Sequence, residues 1–299
     1  MKPNLLFPPA FKLIGLTLVV PGLVLWYLFT FQYYVLPFLG DGNNNIFLGM
    51  NTLTDELFTT LIIIGFIFIG FSRSKNGLVS SNNIHLKALY WSVLANCILT
   101  AGCFLISLLG ELCKFATVEK LGFTYVYFYN FFILLLIFIA RFYYLLYKAK
   151  RGKPINPVYL LPHKPYSIAG KIIGALFILL SIASLMPFLK IGTNSDAFNF
   201  ILIGVLPFFL LWIWSKEKTE NEVVASIRLQ AMQIAVYVNC SLFLIATWVF
   251  YSGDYILVFS AALVSIQIIF MIVFYFMLYN ARRIVQRPAG NVLGLNQNP

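Results

Sequence analysis

Residues 84–99 read Ile-His-Leu-Lys-Ala-Leu-Tyr-Trp-Ser-Val-Leu-Ala-Asn-Cys-Ile-Leu, and residues 227–242 read Ile-Arg-Leu-Gln-Ala-Met-Gln-Ile-Ala-Val-Tyr-Val-Asn-Cys-Ser-Leu. The two align without a gap and agree at seven of sixteen positions, including Asn96-Cys97 against Asn239-Cys240. Shared apolar composition does not place an amide and a thiol in register. A second pair lies downstream: Arg-Phe-Tyr-Tyr-Leu-Leu-Tyr-Lys-Ala-Lys-Arg at 141–151 matches Val-Phe-Tyr-Phe-Met-Leu-Tyr-Asn-Ala-Arg-Arg at 273–283 in six of eleven positions. The chain starts agree more weakly, Leu5-Leu6 to Gly15 against Leu160-Leu161 to Gly170. Together these matches predict a duplicated unit.

The solvent of that unit is lipid. Hydrophobic residues make up 61% of the 299 positions, charged residues only 10%, and the mean hydropathy is +0.87. A soluble domain carries roughly 25% charged residues. Crossing ~30 Å of hydrocarbon takes ~20 predominantly apolar residues. Eight stretches approach this: Leu13–Tyr33, Glu56–Phe71, His85–Leu109, Thr124–Tyr147, Ser167–Leu189, Ala197–Trp214, Ile227–Tyr251 and Tyr255–Tyr279. The second and sixth are short. Runs such as Phe131-Phe132-Ile133-Leu134-Leu135-Leu136-Ile137-Phe138 do not alternate as barrel strands would, so each stretch is read as a helix that bonds its own backbone.

The expected fold is therefore all-α, with eight transmembrane helices in two four-helix repeats. An even number of spans per repeat predicts parallel repeats related by a pseudo-twofold axis along the membrane normal. Residues 1–150 form the first repeat, 151–165 a basic linker, 166–285 the second repeat and 286–299 a tail. The first repeat carries about a dozen extra residues at each of two places, 34–54 and 110–122, and insertions gathered on one face often mark a binding face.

Lysine and arginine in short loops set orientation. With the N-terminus in the cytoplasm, eighteen of the 21 basic residues fall inside and only Lys114, Lys120 and Lys190 outside. Seven of the ten acids lie on the outer side. The net charge of +11 is thus an insertion signal rather than a nucleic-acid footprint, and the lipid bilayer is the expected partner. No small-residue cleavage site follows a short apolar core near the start, so the first span reads as an uncleaved anchor. Cys113 alone reaches an outer loop, and no disulfide framework is implied.

A resemblance rests on three stretches in order: Leu53-Thr54-Asp55-Glu56-Leu57, Phe71-Ser72-Arg73-Ser74-Lys75 and Arg141-Phe142-Tyr143-Tyr144-Leu145-Leu146-Tyr147. With them, the first half resembles an uncharacterised family of small multi-pass inner-membrane proteins from Bacteroidetes-type bacteria, and the second half a diverged copy. Lys216-Glu217-Lys218-Thr219-Glu220-Asn221-Glu222 before Ile227-Arg228-Leu229 is closer to that family than 76–83 is. The resemblance implies topology and no activity.

Five polar residues are candidates for function. Asp55 and Glu56 open the second span on the outer side, where acids complement a helix dipole by ~0.3–1 kcal/mol each. With Thr54, Thr59 and Thr60 they could also hold a cation or ligand. Arg141 is the one basic residue well inside a span, and either reaches back to the headgroups or meets an intramembrane partner. Asn96 and Asn239 occupy matched depths, where interhelical hydrogen bonds worth ~0.6–2 kcal/mol glue helices together. Gly170 and Gly174 form a small-residue face in the fifth span.

His85 and His163, the only histidines, lie at the cytoplasmic margin, which argues against haem held between spans. No zinc-protease, serine-hydrolase or phosphate-loop pattern occurs. No cofactor and no catalytic role are expected. The expected function is that of a non-enzymatic sensor, adaptor or complex subunit whose helices and outer loops bind another membrane or cytoplasmic protein or a small ligand. The alternative is a transporter or channel for a neutral or lipid-like solute.

Overall fold

Four residues before its first helix begins, at Phe7, the chain is already paired with a distant segment at Ser72. In the computed structural model, which describes residues 6–32, 34, 36, 54–73, 80–112, 130–155, 158–184, 210–218, 220–249 and 253–286, the architecture is all-helical. The helices are α1 (Phe11–Gln32), α2 (Thr54–Gly70), α3 (Ser80–Leu112), α4 (Asn130–Lys150), α5 (Ile168–Ser184), α6 (Glu222–Val249) and α7 (Gly253–Gln286). A π turn, His163–Ser167, leads into α5.

Five segments are long and apolar enough to cross a membrane: Phe11–Gln32, Ile84–Cys103, Phe132–Lys150, Glu222–Val249 and Ser265–Arg283. The chain is a membrane protein on this ground. α2 and the described part of α5 have 17 residues each, a rise of ~26 Å at 1.5 Å per residue, slightly under the hydrocarbon thickness. Of the expected sixth span only 210–213 is described as helical, followed by a turn at Trp214, and 197–209 lie outside the described residues. So do most of the insertions at 34–54 and 110–122. One boundary differs in a way that matters. α6 starts at Glu222 and not at Ile227, because the polar residues before the apolar run continue the helix and move Arg228 from its edge to well inside it.

Small residues set which helices touch. In α3, Ala88, Ser92, Asn96 and Thr100 are buried at four-residue intervals; in α6, Ala231, Ala235 and Asn239 are buried at the same interval. Narrow stripes of this kind let two backbones approach in a solvent where apolar bulk gives no driving force. α3 packs on α6 and α4, α6 packs on α7, and α2 reaches α4 and α6. α1 leans on α2 alone among the stronger contacts, through glycine. A Cβ on Gly65 would lie 2.5 Å from Val19 Cγ2 and 2.8 Å from the Gly15 carbonyl oxygen. The rest of α1, including Leu13, Leu16, Val20 and Val24, faces outward, as lipid-exposed side chains do.

Two isolated parallel bridges tie down the ends that helices leave unsatisfied. The Phe7 N–H donates to the Phe71 carbonyl (2.9 Å), and the Arg73 N–H to the Phe7 carbonyl (2.9 Å). In the second half the Leu161 N–H donates to the Trp214 carbonyl (2.8 Å), and the Lys216 N–H to the Leu161 carbonyl (2.9 Å). Ser72 and Ser215, the bridged residues, stand in the same register as 84–99 against 227–242.

Candidate functional site

A helix ends with carbonyls that have no partner within it, and a buried end needs donors from elsewhere. α2 ends at Gly70, and His85 Nε2 of α3 donates to the Gly70 carbonyl. In the second half the Ile213 carbonyl stands in Gly70's place. Arg228 Nη1 of α6 donates to it (2.9 Å), and so does the Tyr90 hydroxyl of α3 (2.9 Å). His85 lies against the Phe142 ring (4.1 Å between centroids), and Arg228 over the Phe274 ring (4.9 Å). His85 matches Arg228, and Phe142 matches Phe274, in the two alignments read from the sequence.

The charge on Arg228 draws in further groups. Only 3% exposed, it pairs through Nη2 with Glu220 Oε2 at 2.9 Å. The same oxygen accepts the Glu217 N–H (2.9 Å). Glu217 Oε1 accepts the Tyr275 hydroxyl (2.8 Å), whose oxygen in turn accepts Trp212 Nε1–H (3.1 Å). Lys171 lies 5.9 Å from the Tyr275 ring, as Lys12 lies 4.6 Å from the Tyr143 ring. Glu220 Oε1 and Arg228 Nε are buried without a hydrogen-bond partner. The network clamps Trp212, Glu217 and Glu220 onto α6 and α7, and a cation at a helix C-terminus is favourably placed against the dipole.

Deeper in the bundle lie the two amides expected to join helices. Asn239 accepts a hydrogen bond from Ser265 of α7, while the Asn96 backbone carbonyl accepts from Thr100 (2.8 Å). Gln267 Nε2 donates to Cys97 Sγ (3.2 Å) across α7 and α3, beside a cavity of about 10 Å³ lined by Tyr90, Leu210 and Met232. That volume admits one water at most.

At the other end of α2, Asp55 and Glu56 adjoin each other. Asp55 Oδ1 and Glu56 Oε2 are buried with no hydrogen-bond partner. Thr54 accepts the Leu36 N–H (3.3 Å), and Thr60 accepts Trp248 Nε1–H of α6 (3.0 Å). The threonines expected to add oxygens to a ligand site are thus engaged elsewhere, at Thr54 and Thr60. Each of these adjacent carboxyls keeps one buried oxygen unpaired, and two such acids side by side call for a cation, a proton or a partner's base. Among the described residues Arg141 meets no acid. Its guanidinium lies 4.5 Å from the Trp91 ring and 5.4 Å from the Tyr144 ring.

The residues missed by sequence reasoning are Arg228, Glu220, Glu217 and Tyr90. One signal pointed to them: Glu217, Glu220 and Glu222 are the only acids on the Lys/Arg-rich side, and they crowd just upstream of Arg228. Among the described residues no group of three His, Cys, Asp or Glu side chains could hold a metal ion. No family model matches the chain, and neither a curated protein nor a solved structure matches it.

Proposed function

We propose that this chain is a multi-pass protein of a bacterial inner membrane, with both termini cytoplasmic, that serves as a non-enzymatic sensor, adaptor or complex subunit. Its two four-helix repeats are related by rotation about the membrane normal. The recurrence of unlike residues in like contacts supports the duplication: bridge with bridge, His85 with Arg228, and Lys12 over Tyr143 with Lys171 over Tyr275. The resemblance carried by Leu53–Leu57, Phe71–Lys75 and Arg141–Tyr147 agrees with it.

The observation that carries the adaptor role is the commitment of polar side chains inside the bundle. Arg228, Glu217, Tyr275, Asn239 and Gln267 each bond to another part of the chain, and the cavity beside Gln267 has room for about one water. A transport path needs polar groups left free along a passage. A scaffold needs them tied, with its recognition groups at the ends. Asp55 and Glu56 are such groups, and a partner's Lys or Arg would satisfy their orphaned oxygens.

The test is purification from native membranes under mild detergent, comparing the natural chain with the Asp55→Asn, Glu56→Gln double variant. A stoichiometric protein partner should accompany the natural chain and be lost from a variant that inserts at the normal level. A natural chain that emerges alone, and that a small solute protects against heat, would transfer the assignment to transport.

A further inference from the structure

Arg141 and Arg228 are both arginines within apolar helices, and they are treated in opposite ways. Arg228 has a carboxylate and a carbonyl inside the protein. Arg141 has neither among the described residues, and its Nε is buried without a hydrogen-bond partner. Its company is aromatic and faces out: Trp91 is 42% exposed and Tyr144 54% exposed. In a membrane that exposure is to lipid.

The neighbourhood is basic throughout. Arg141, Tyr144, Lys148 and Arg151 follow one another at three- and four-residue spacing, so they share a face of α4 and its end. Lys87 and Trp91 share a face of α3, which packs against α4. Residues 84–103 and 132–155 contain no acid. Arg141 sits ~10 Å deeper than Lys148 along the helix. Stretching out to the headgroup plane would pull its guanidinium away from both rings. The alternative is that a headgroup comes to it. A guanidinium offers planar paired donors that match two oxygens of a phosphate, and the rings hold it in place without consuming those donors.

We propose that Arg141, flanked by Trp91 and Tyr144, docks the phosphate of an anionic phospholipid, with Lys87 and Lys148 supplying further positive charge toward the headgroup. This rests on the chain spanning a membrane and not on its binding a protein partner.

Native mass spectrometry of the purified full chain, titrated with phosphatidylglycerol or phosphatidylcholine, tests the site. Phosphatidylglycerol should bind Arg141→Gln at least about fivefold more weakly than the natural chain, the loss that one basic residue near a membrane surface accounts for. Phosphatidylcholine, whose phosphate charge is offset by its choline, should bind the natural chain more weakly than phosphatidylglycerol and lose less in the variant. Arg282→Gln, which removes an exposed charge near the end of α7, should bind like the natural chain. Should Arg141→Gln fail to fold, Trp91→Leu, which keeps the charge and removes one ring, should lose affinity in its place. Equal phosphatidylglycerol affinity in the Arg141 and Trp91 variants and the natural chain would overturn the proposal. So would an equal loss in Arg282→Gln, which would mark general surface attraction. Displacement of the lipid by millimolar inorganic phosphate would overturn it too, in favour of a simple ion site.

Discussion

His85 and Arg228 perform one geometric task with two chemistries. A neutral imidazole can donate to the Gly70 carbonyl and be surrounded by Phe71, Phe138 and Phe142, leaving its Nδ1 without a partner but no charge to be compensated. A guanidinium cannot be stripped of water in that way, and Glu220 is present because Arg228 is. Removing one member of a buried ion pair leaves the other uncompensated and costs ~3–5 kcal/mol. Arg228→Ala should therefore lower the unfolding midpoint in detergent steeply. Arg228→His with Glu220→Gln, which copies the first half's chemistry, should recover much of the loss. An Arg228→Ala chain that unfolds together with the natural one, followed by circular dichroism, would mean that the clamp holds nothing. Arg228 was hard to find in the sequence because hydropathy places the start of the apolar run at Ile227, which makes the next residue look like a surface charge. Arg141 was found for its depth; of the two rings beside it, Tyr144 is local to α4, while Trp91 comes from α3 and could not be read from local sequence.

Apolar length announced the helices; it did not announce their partners. α1 has the highest hydropathy of the five spanning segments and one of the least buried surfaces, since its contact with α2 runs through glycine. One methyl group tests this. Gly65→Ala places a Cβ within 3 Å of Val19 and of the α1 backbone, and an overpacked contact of this kind costs ~1–3 kcal/mol. Gly102→Ala is the control, because nothing lies within 4 Å of a Cβ there. Rising dodecyl sulfate in mixed micelles should unfold Gly65→Ala earlier than the natural chain and Gly102→Ala no earlier, since alanine favours a helix where nothing clashes; coincident Gly65→Ala and natural curves would show that α1 does not depend on the close approach. A gapless comparison of the chain starts also concealed a register. Lys12-Leu13-Ile14-Gly15 resembles Lys171-Ile172-Ile173-Gly174, and the matched ring contacts of Lys12 and Lys171 place these together. The five-residue π turn His163–Ser167 has no helical counterpart between Phe7 and α1, and it absorbs the difference.

At the scale of the molecule, eighteen basic residues against three predict the orientation. In a chain carrying Cys113→Ser, cysteine at Asn44 should react with an impermeant thiol reagent on intact cells, and cysteine at Lys153 should react only after lysis. The reverse pattern would invert the topology. Cys97 and Cys240 are buried and should stay silent in both arms. The contacts of Tyr90 also set a timetable for biogenesis. The bond between Gly70 and His85 joins neighbouring helices and can close as soon as α3 has left the ribosome. The Tyr90 hydroxyl and the Cys97 thiol find their partners at Ile213 and Gln267, which are synthesised more than a hundred residues later. Until then these polar groups of α3 stand in lipid or against the insertion machinery. The first four helices thus wait, incomplete on one flank, as the template on which the later ones assemble.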